Sequence, residues 1–152
     1  MKAASLKKAA EKNALQVAAL PVRQTADGGL EVLLVTSRDT RRWIPPKGWP
    51  MKGRKPHRAA AIEAQEEAGV TGQISKTPIG HYSYDKRLAG RGIIPCKVEL
   101  YVLTVTDHLP HWREQGQRDL QWVSPETAAM LVEEPELAVL ILDLARSARL
   151  EE

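Results

Sequence analysis

Between Gly48 and Val70 the chain reads GWPMKGRKPHRAAAIEAQEEAGV, and three glutamates stand out: Glu63, Glu66 and Glu67. Spacings of i, i+3 and i+4 place them along one side of a helix, where like charges repel and weaken the isolated helix. A hard divalent cation, Mg²⁺ or Mn²⁺, relieves that repulsion by taking carboxylate oxygens as ligands. A bare ExxEE is equally the pattern of a solvated acidic helix face. The punctuation around it favours a site: Pro45, Pro46, Gly48, Pro50 and Gly53 build a stiff, irregular loop ahead of the helix. Pro56 suits a first helical turn, and Gly69 supplies a C-terminal stop.

The charge distribution adds a second signal. The net charge is only +3, yet Arg38 to Arg58 holds Arg38, Arg41, Arg42, Lys47, Lys52, Arg54, Lys55 and Arg58 against the single acid Asp39. Such a patch either solubilises the surface or receives a strongly anionic partner. Arg42, Lys47, Lys52 and Arg54 are candidate phosphate contacts, with Lys86, Arg87 and Arg91 able to close from a later basic loop. Arginine can grip phosphoryl oxygens in bidentate fashion. Zinc-finger spacing and RNA-binding aromatic patterns are absent from the sequence. His57, His81, His108 and His111 show no metal-ligand spacing and read as capping, surface or loop residues.

At 152 residues, 43% hydrophobic and 27% charged, the composition is that of one soluble globular domain with room for a core. We expect a basic segment over residues 1–13 and a single domain over 14–150. No apolar run reaches membrane-spanning length, and the N-terminus lacks a signal-peptide core. The lone Cys96 excludes an internal disulfide and fits a reducing cytoplasm, as a small packed thiol. Oligomeric state, a homodimer included, is open.

The elements that must position the glutamates follow from patterning. A first strand is expected over residues 14–23, with Pro21 marking an edge or a bulge. Ala26 to Gly29 is a hairpin turn, and Leu30 to Ser37 a second strand. Trp43-Ile44 is a short strand, His57 to Ala68 a helix, and Ile74 to Tyr84 holds one or two strands. Lys86 to Gly92 reads as a mobile hairpin loop. Lys97 to Thr106 is apolar enough for a central strand. His108 to Gln117 is a polar loop and Leu120 to Val123 a last strand. Ser124 caps a helix with Pro125 at its first position. Pro135 to Leu150 is an amphipathic helix burying Leu137, Leu140, Ile141 and Leu144. The order is that of a mixed α/β domain with helices covering a curved sheet.

The Gly48–Val70 stretch resembles the Nudix hydrolase signature GX5EX7REUXEEXGU, where U is aliphatic. Gly48, Glu63, Ala64, Glu66, Glu67, Gly69 and Val70 match in register. Two positions depart: the acid six residues after Gly48 is Arg54, and the arginine before Glu63 is Ile62. In the family those two residues typically pair, linking loop to helix; both partners have changed together, which is more tolerable than the loss of one, since that can strand a charge. Arg54 could pin the loop by reaching Glu63 or Glu66, or could compete with a metal. The segments PPKGWPMKG, YVLTVTDHLPHW and QRDLQWVSPETA extend the resemblance to the diphosphoinositol polyphosphate phosphohydrolase branch and its bacterial relatives, over roughly residues 15–135.

The resemblance implies an α/β/α sandwich and metal-dependent hydrolysis of a diphosphate linkage. Substrates would be a nucleoside diphosphate derivative, a dinucleoside polyphosphate or an inositol pyrophosphate. It implies Mg²⁺ or Mn²⁺ held by Glu63, Glu66, Glu67 and the Gly48 carbonyl, with Glu66 and Glu67 the firmest ligands, Glu63 a ligand or base, and Glu114 a further catalytic carboxylate. Lowering the pKa of a bound water and stabilising charge during in-line attack are the expected chemistry. The departures at Arg54 and Ile62 leave an alternative, a catalytically weak ligand-binding or sensor protein. RNA 5′ ends are a weaker substrate class. Trp43 and Trp49 are expected mainly to pack, and Tyr82 and Tyr84 to alternate on a strand near the pocket.

Overall fold

A computed structural model describes residues 14–88, 90 and 92–150. The basic segment 1–13 and Arg91 lie outside the described residues. Eight strands join one mixed sheet: β1 (Leu15–Gln24), β2 (Leu30–Thr36), β3 (Trp43–Ile44), β4 (Lys47–Gly48), β5 (Val70–Ile74), β6 (Gly80–Leu88), β7 (Gly92–His108) and β8 (Leu120–Val123). Three helices are described: α1 (Pro56–Ala68), α2 (Pro125–Leu131) and α3 (Pro135–Leu150).

β1 lies in the middle of the sheet. It runs parallel to β7 from Leu15↔Lys97 to Val22↔Thr104, while its other edge meets β4 at Val17 and Ala18 and β2 from Val22 onward. Pro21 is therefore in the sheet interior, not on an edge strand or bulge as its type led us to expect. The ladder tolerates it because β1 changes partner there. Ala19 N–H donates to the Pro46 carbonyl (3.0 Å) on that edge. Two residues on, the Pro21 nitrogen faces the same edge between the β4 and β2 pairings, where no donor is needed.

Strand alternation sorts the apolar side chains of β1 and β2 to two faces. Ala18, Leu20, Val32 and Leu34 join Leu137 and Ile141 of α3 in one core, with Leu140 and Leu144 packed at its margin. Val17, Ala19, Leu33 and Val35 join Ala59, Ala60, Ala64 and Ala68 of α1 in the other. The result is the expected α/β/α sandwich. Ala59, Ala60, Ala64 and Ala68 are fully buried. Their small side chains let this weakly amphipathic helix lie against the sheet, which fixes the direction of its glutamates.

Two strands run longer than their patterns indicated. β6 continues through Lys86 and Arg87, and β7 begins at Gly92, so the basic segment between them is mostly ladder, with Lys86↔Ile94 and Arg87↔Ile93 in register. β7 spans 17 residues because β6 pairs its first half and β5 its second.

Candidate active site

Glu63 and Glu67 project from α1 into an open cleft of about 460 Å³. Gly48 and Lys47 of β4, Lys86 of β6, Glu114 and Arg118 of the β7–β8 loop, and Arg38 and Asp39 after β2 also line it. The loop is stitched to the end of α1: Leu109 N–H donates to the Gly69 carbonyl (2.7 Å), and Glu114 N–H donates to the Glu66 carbonyl (2.9 Å). Gly69 makes this closure sterically feasible. It caps α1 in the left-handed region at φ 69°, and a Cβ there would meet the Trp112 ring at 2.3 Å. The polar loop expected over His108–Gln117 thus brings Glu114 to the signature carboxylates.

Burial pushes the Glu67 carboxyl up to about 8, opposed by Arg118 and reinforced by Glu63. Burial likewise raises Glu63, partly offset by the neighbouring Glu67 carboxyl and reinforced by Glu66 and Glu114. Arg118 is the counterweight, with only 8% of its side chain exposed. It lies 3.7 Å from Glu67, donates through Nε to Glu114 (3.0 Å) and through Nη1 to the Thr36 carbonyl (3.0 Å). Arg38 approaches the same Glu114 oxygen at 3.9 Å.

Glu66 takes another direction. Successive helical residues are rotated by about 100°, so Glu66 and Glu67 cannot share one aim, and Glu66 accepts from Arg113 Nη1 at 3.0 Å. Among the described residues no three acidic, histidine or cysteine side chains form a ready ligand set. The pair that remains nevertheless fits a hard cation. Glu67 Oε1 is buried without a hydrogen-bond partner, and the Gly48 backbone presses so close that a Cβ there would lie 2.4 Å from the Glu63 carboxyl carbon.

Lys47 sits opposite, its pKa lowered to about 8 by burial and by Lys86. Its Nζ donates to Tyr84 Oη (2.8 Å), lies 4.4 Å from the Tyr84 ring centroid, and stands near Gln16, which also accepts from Tyr84 Oη. Tyr82, two residues earlier, is buried in the core. Trp43 packs at the core margin, whereas Trp49 is 43% exposed on the cleft lip beneath Lys86, a departure from the packing role expected of it.

The other expected contacts are placed elsewhere. Arg42 is ion-paired to Glu133 (3.0 Å) and Glu134 (3.1 Å) at the α2–α3 junction. Arg87 neighbours Lys86 on β6 and faces the opposite way, by strand alternation. Lys52 is exposed on the loop. Arg54 makes no ion pair with Glu63 or Glu66; it lines a separate depression at the start of α1. No histidine lines the cleft. Sequence reasoning missed Arg118, Arg113 and Gln16, and counted Arg38 only as part of the basic patch. A lone arginine in a polar loop carries no local mark of a buried ion-pairing role.

The NUDIX domain model matches residues 12–144. The chain is 33% identical over 110 residues to "Nudix hydrolase 12, mitochondrial" of Arabidopsis thaliana, covering 67% of this chain and 52% of that protein. It is 34% identical over 106 residues to diphosphoinositol polyphosphate phosphohydrolase 3-beta of Homo sapiens, covering 68% of this chain and 60% of that one. The chain thus spans about half the length of the first curated relatives it matches. Among solved structures, a C. elegans Ap4A hydrolase binary complex superposes with a TM-score of 0.63 at 26% identity, over 90% of this chain and 97% of that chain. With the signature glutamates on a helix packed beneath this sheet, and the domain match running through nearly all the described residues, the chain belongs to the Nudix family.

Proposed function

We propose that residues 14–150 form one catalytic domain that hydrolyses a diphosphate linkage in a nucleoside diphosphate derivative, a dinucleoside polyphosphate or an inositol pyrophosphate. The observation that carries this reading is the Glu63–Glu67 pair, with its unpartnered buried oxygen, set against the Gly48 backbone and facing Lys47 and Lys86 across one cleft. Glu63, Glu67 and the Gly48 carbonyl would hold Mg²⁺ or Mn²⁺, with Glu66 at the margin. When bound, such an ion supplies charge neutralisation at phosphoryl oxygens and a more acidic water.

The chain's own groups do the rest. Lys47 is braced by Tyr84 and Gln16 and presents its ammonium to phosphoryl oxygens; Lys86 adds a second positive charge from β6. Preorganised cations of this kind stabilise the charge that builds up in phosphoryl transfer. Arg118 and Arg38 both address Glu114 Oε1, which leaves Oε2 to take a proton from an attacking water. Trp49 shields the lip of the cleft.

The test is a panel of dinucleoside polyphosphates, inositol pyrophosphates and ADP-ribose, assayed with Mg²⁺ and Mn²⁺ for release of phosphate or mononucleotide. Glu67→Gln should lower turnover by about 100-fold or more, with the fold intact by circular dichroism. Wild-type turnover in that variant overturns the reading. A ligand-binding or sensor role with weak catalysis is the second reading, favoured by the fixed Arg118 guanidinium 3.7 Å from Glu67, where it competes for the charge a cation needs. That reading predicts a marked gain in turnover, at little cost in ligand affinity, when Arg54→Glu and Ile62→Arg are combined.

A further inference from the structure

A second concavity lies beyond the loop that ends the cleft. Gly48 to Met51 line the cleft, whereas Gly53, Arg54 and Lys55 line a depression of about 480 Å³ together with His57, Arg58 and Lys76. Three elements meet there: the loop before α1, the first turn of α1, and the β5–β6 turn carrying Lys76. No acid lines it. None of Arg54, Lys55, Arg58 and Lys76 forms an ion pair with a described residue.

This arrangement is costly for an empty surface. The N-terminus of α1 already carries partial positive charge and is stabilised by acids and capping side chains. Here the cap is Lys55, without a side-chain hydrogen bond, and the first turn contains no acid. His57 is a separate indication of a ligand. It lines the depression, is only 9% exposed, and takes no hydrogen bond from a described residue; its ring contact is with Tyr101 at 6.4 Å between centroids. A largely buried imidazole with no protein hydrogen-bond partner among the described residues, walled by cations, is matched by a compact anion with several acceptor oxygens.

We infer that the Arg54–Lys55–His57–Arg58–Lys76 depression is an anion-binding site, distinct from the carboxylate cleft, that takes a phosphoryl group of an oligophosphate. Arginine and lysine supply charge, and the start of α1 adds its dipole. His57 is held below its ordinary pKa by burial and then by Arg58, Lys55 and Lys76, which agrees with a pocket in surplus of positive charge. The oligophosphate could be free in solution or could be the unreacted phosphates of a molecule seated in the cleft.

The site can be tested without turnover, so its failure is separable from that of the hydrolase reading. Inorganic tripolyphosphate is titrated into the metal-free protein at low salt, following the His57 imidazole resonances by NMR and the heat by calorimetry. His57 should shift saturably, and affinity should fall as salt screens the charges. Arg58→Gln with Lys76→Gln, both at exposed positions, should weaken binding by about tenfold or more and leave the melting temperature near that of the wild type. Glu67→Gln should leave the His57 response in place. An unmoved His57 in the wild-type titration, or undiminished binding in the double variant, overturns the inference. A second arm distinguishes the sources: a raised KM for a dinucleoside polyphosphate in the double variant assigns the depression to the substrate's distal phosphates, and an unchanged KM with lost tripolyphosphate binding assigns it to a separate anion.

Discussion

Helices α1 and α2 enter their first turns in nearly the same way and then diverge. Each follows an extended residue, Lys55 at φ −68°, ψ 150° and Ser124 at φ −64°, ψ 155°, and each carries proline in its first turn. α2 then obeys the rules of helix stability: Ser124 Oγ accepts from Thr127 N–H (3.1 Å), and Glu126 sits in the first turn. α1 inverts them at both ends. It has a lysine at the cap, arginines and lysine around its start, glutamates near its close and no base in its last turn. Each adverse end charge costs a helix about 0.3–1 kcal/mol. Residues that serve the helix follow its dipole; those of α1 answer to what they face, carboxylates toward the cleft and cations toward the second depression.

Breaking the pairing that compensates the carboxylate end should have the largest effect. Arg118→Ala leaves Glu67 and Glu114 without their buried partner and should destabilise the fold by about 3 kcal/mol, read as a lowered urea midpoint. A loss below about 1 kcal/mol, the range of exposed ion pairs, would show that the guanidinium is dispensable. Next comes pH. Native Glu67 keeps its proton up to about pH 8, whereas an unfolded glutamate loses it near 4.5. The native state then binds more protons between those values, so in EDTA its stability should fall as pH rises through that window. Mg²⁺ should flatten the slope in melting curves; a slope of the opposite sign would remove Glu67 as its source. The smallest change sharpens the comparison with α2. Lys55→Ser places a capping side chain on a backbone already shaped for it and should raise stability by about 1 kcal/mol, while weakening tripolyphosphate binding.

Much of this was legible in the chain. Pro56 and Gly69 bracket α1 as their types dictate, Ser124-Pro125 opens α2, and the apolar runs of β2 and β7 mark buried strands. The shared side of Glu63 and Glu67 also follows from their spacing, whereas Glu66, expected beside them, turns to Arg113. What stayed hidden depends on distant partners. Pro21 reads as an edge residue until β4 and β2 are seen to share one side of β1. The opening residues of β7 include Gly92 and Pro95 and look like loop until β6 pairs them. Arg54 and Arg118 are both arginines in polar loops. Only the fold tells that one is drawn to a second depression and the other is locked between two glutamates.

The parallel pairing of β1 with β7 also bears on how the chain is made. Leu15 and Lys97 lie side by side although 82 positions separate them, and the earliest of the described strands in chain order occupies the middle of the sheet. Until the ribosome has released residues past 104, one flank of β1 has no mate. Nascent chains shorter than that carry an open, apolar strand edge, the kind of surface that chaperones shelter and aggregates recruit.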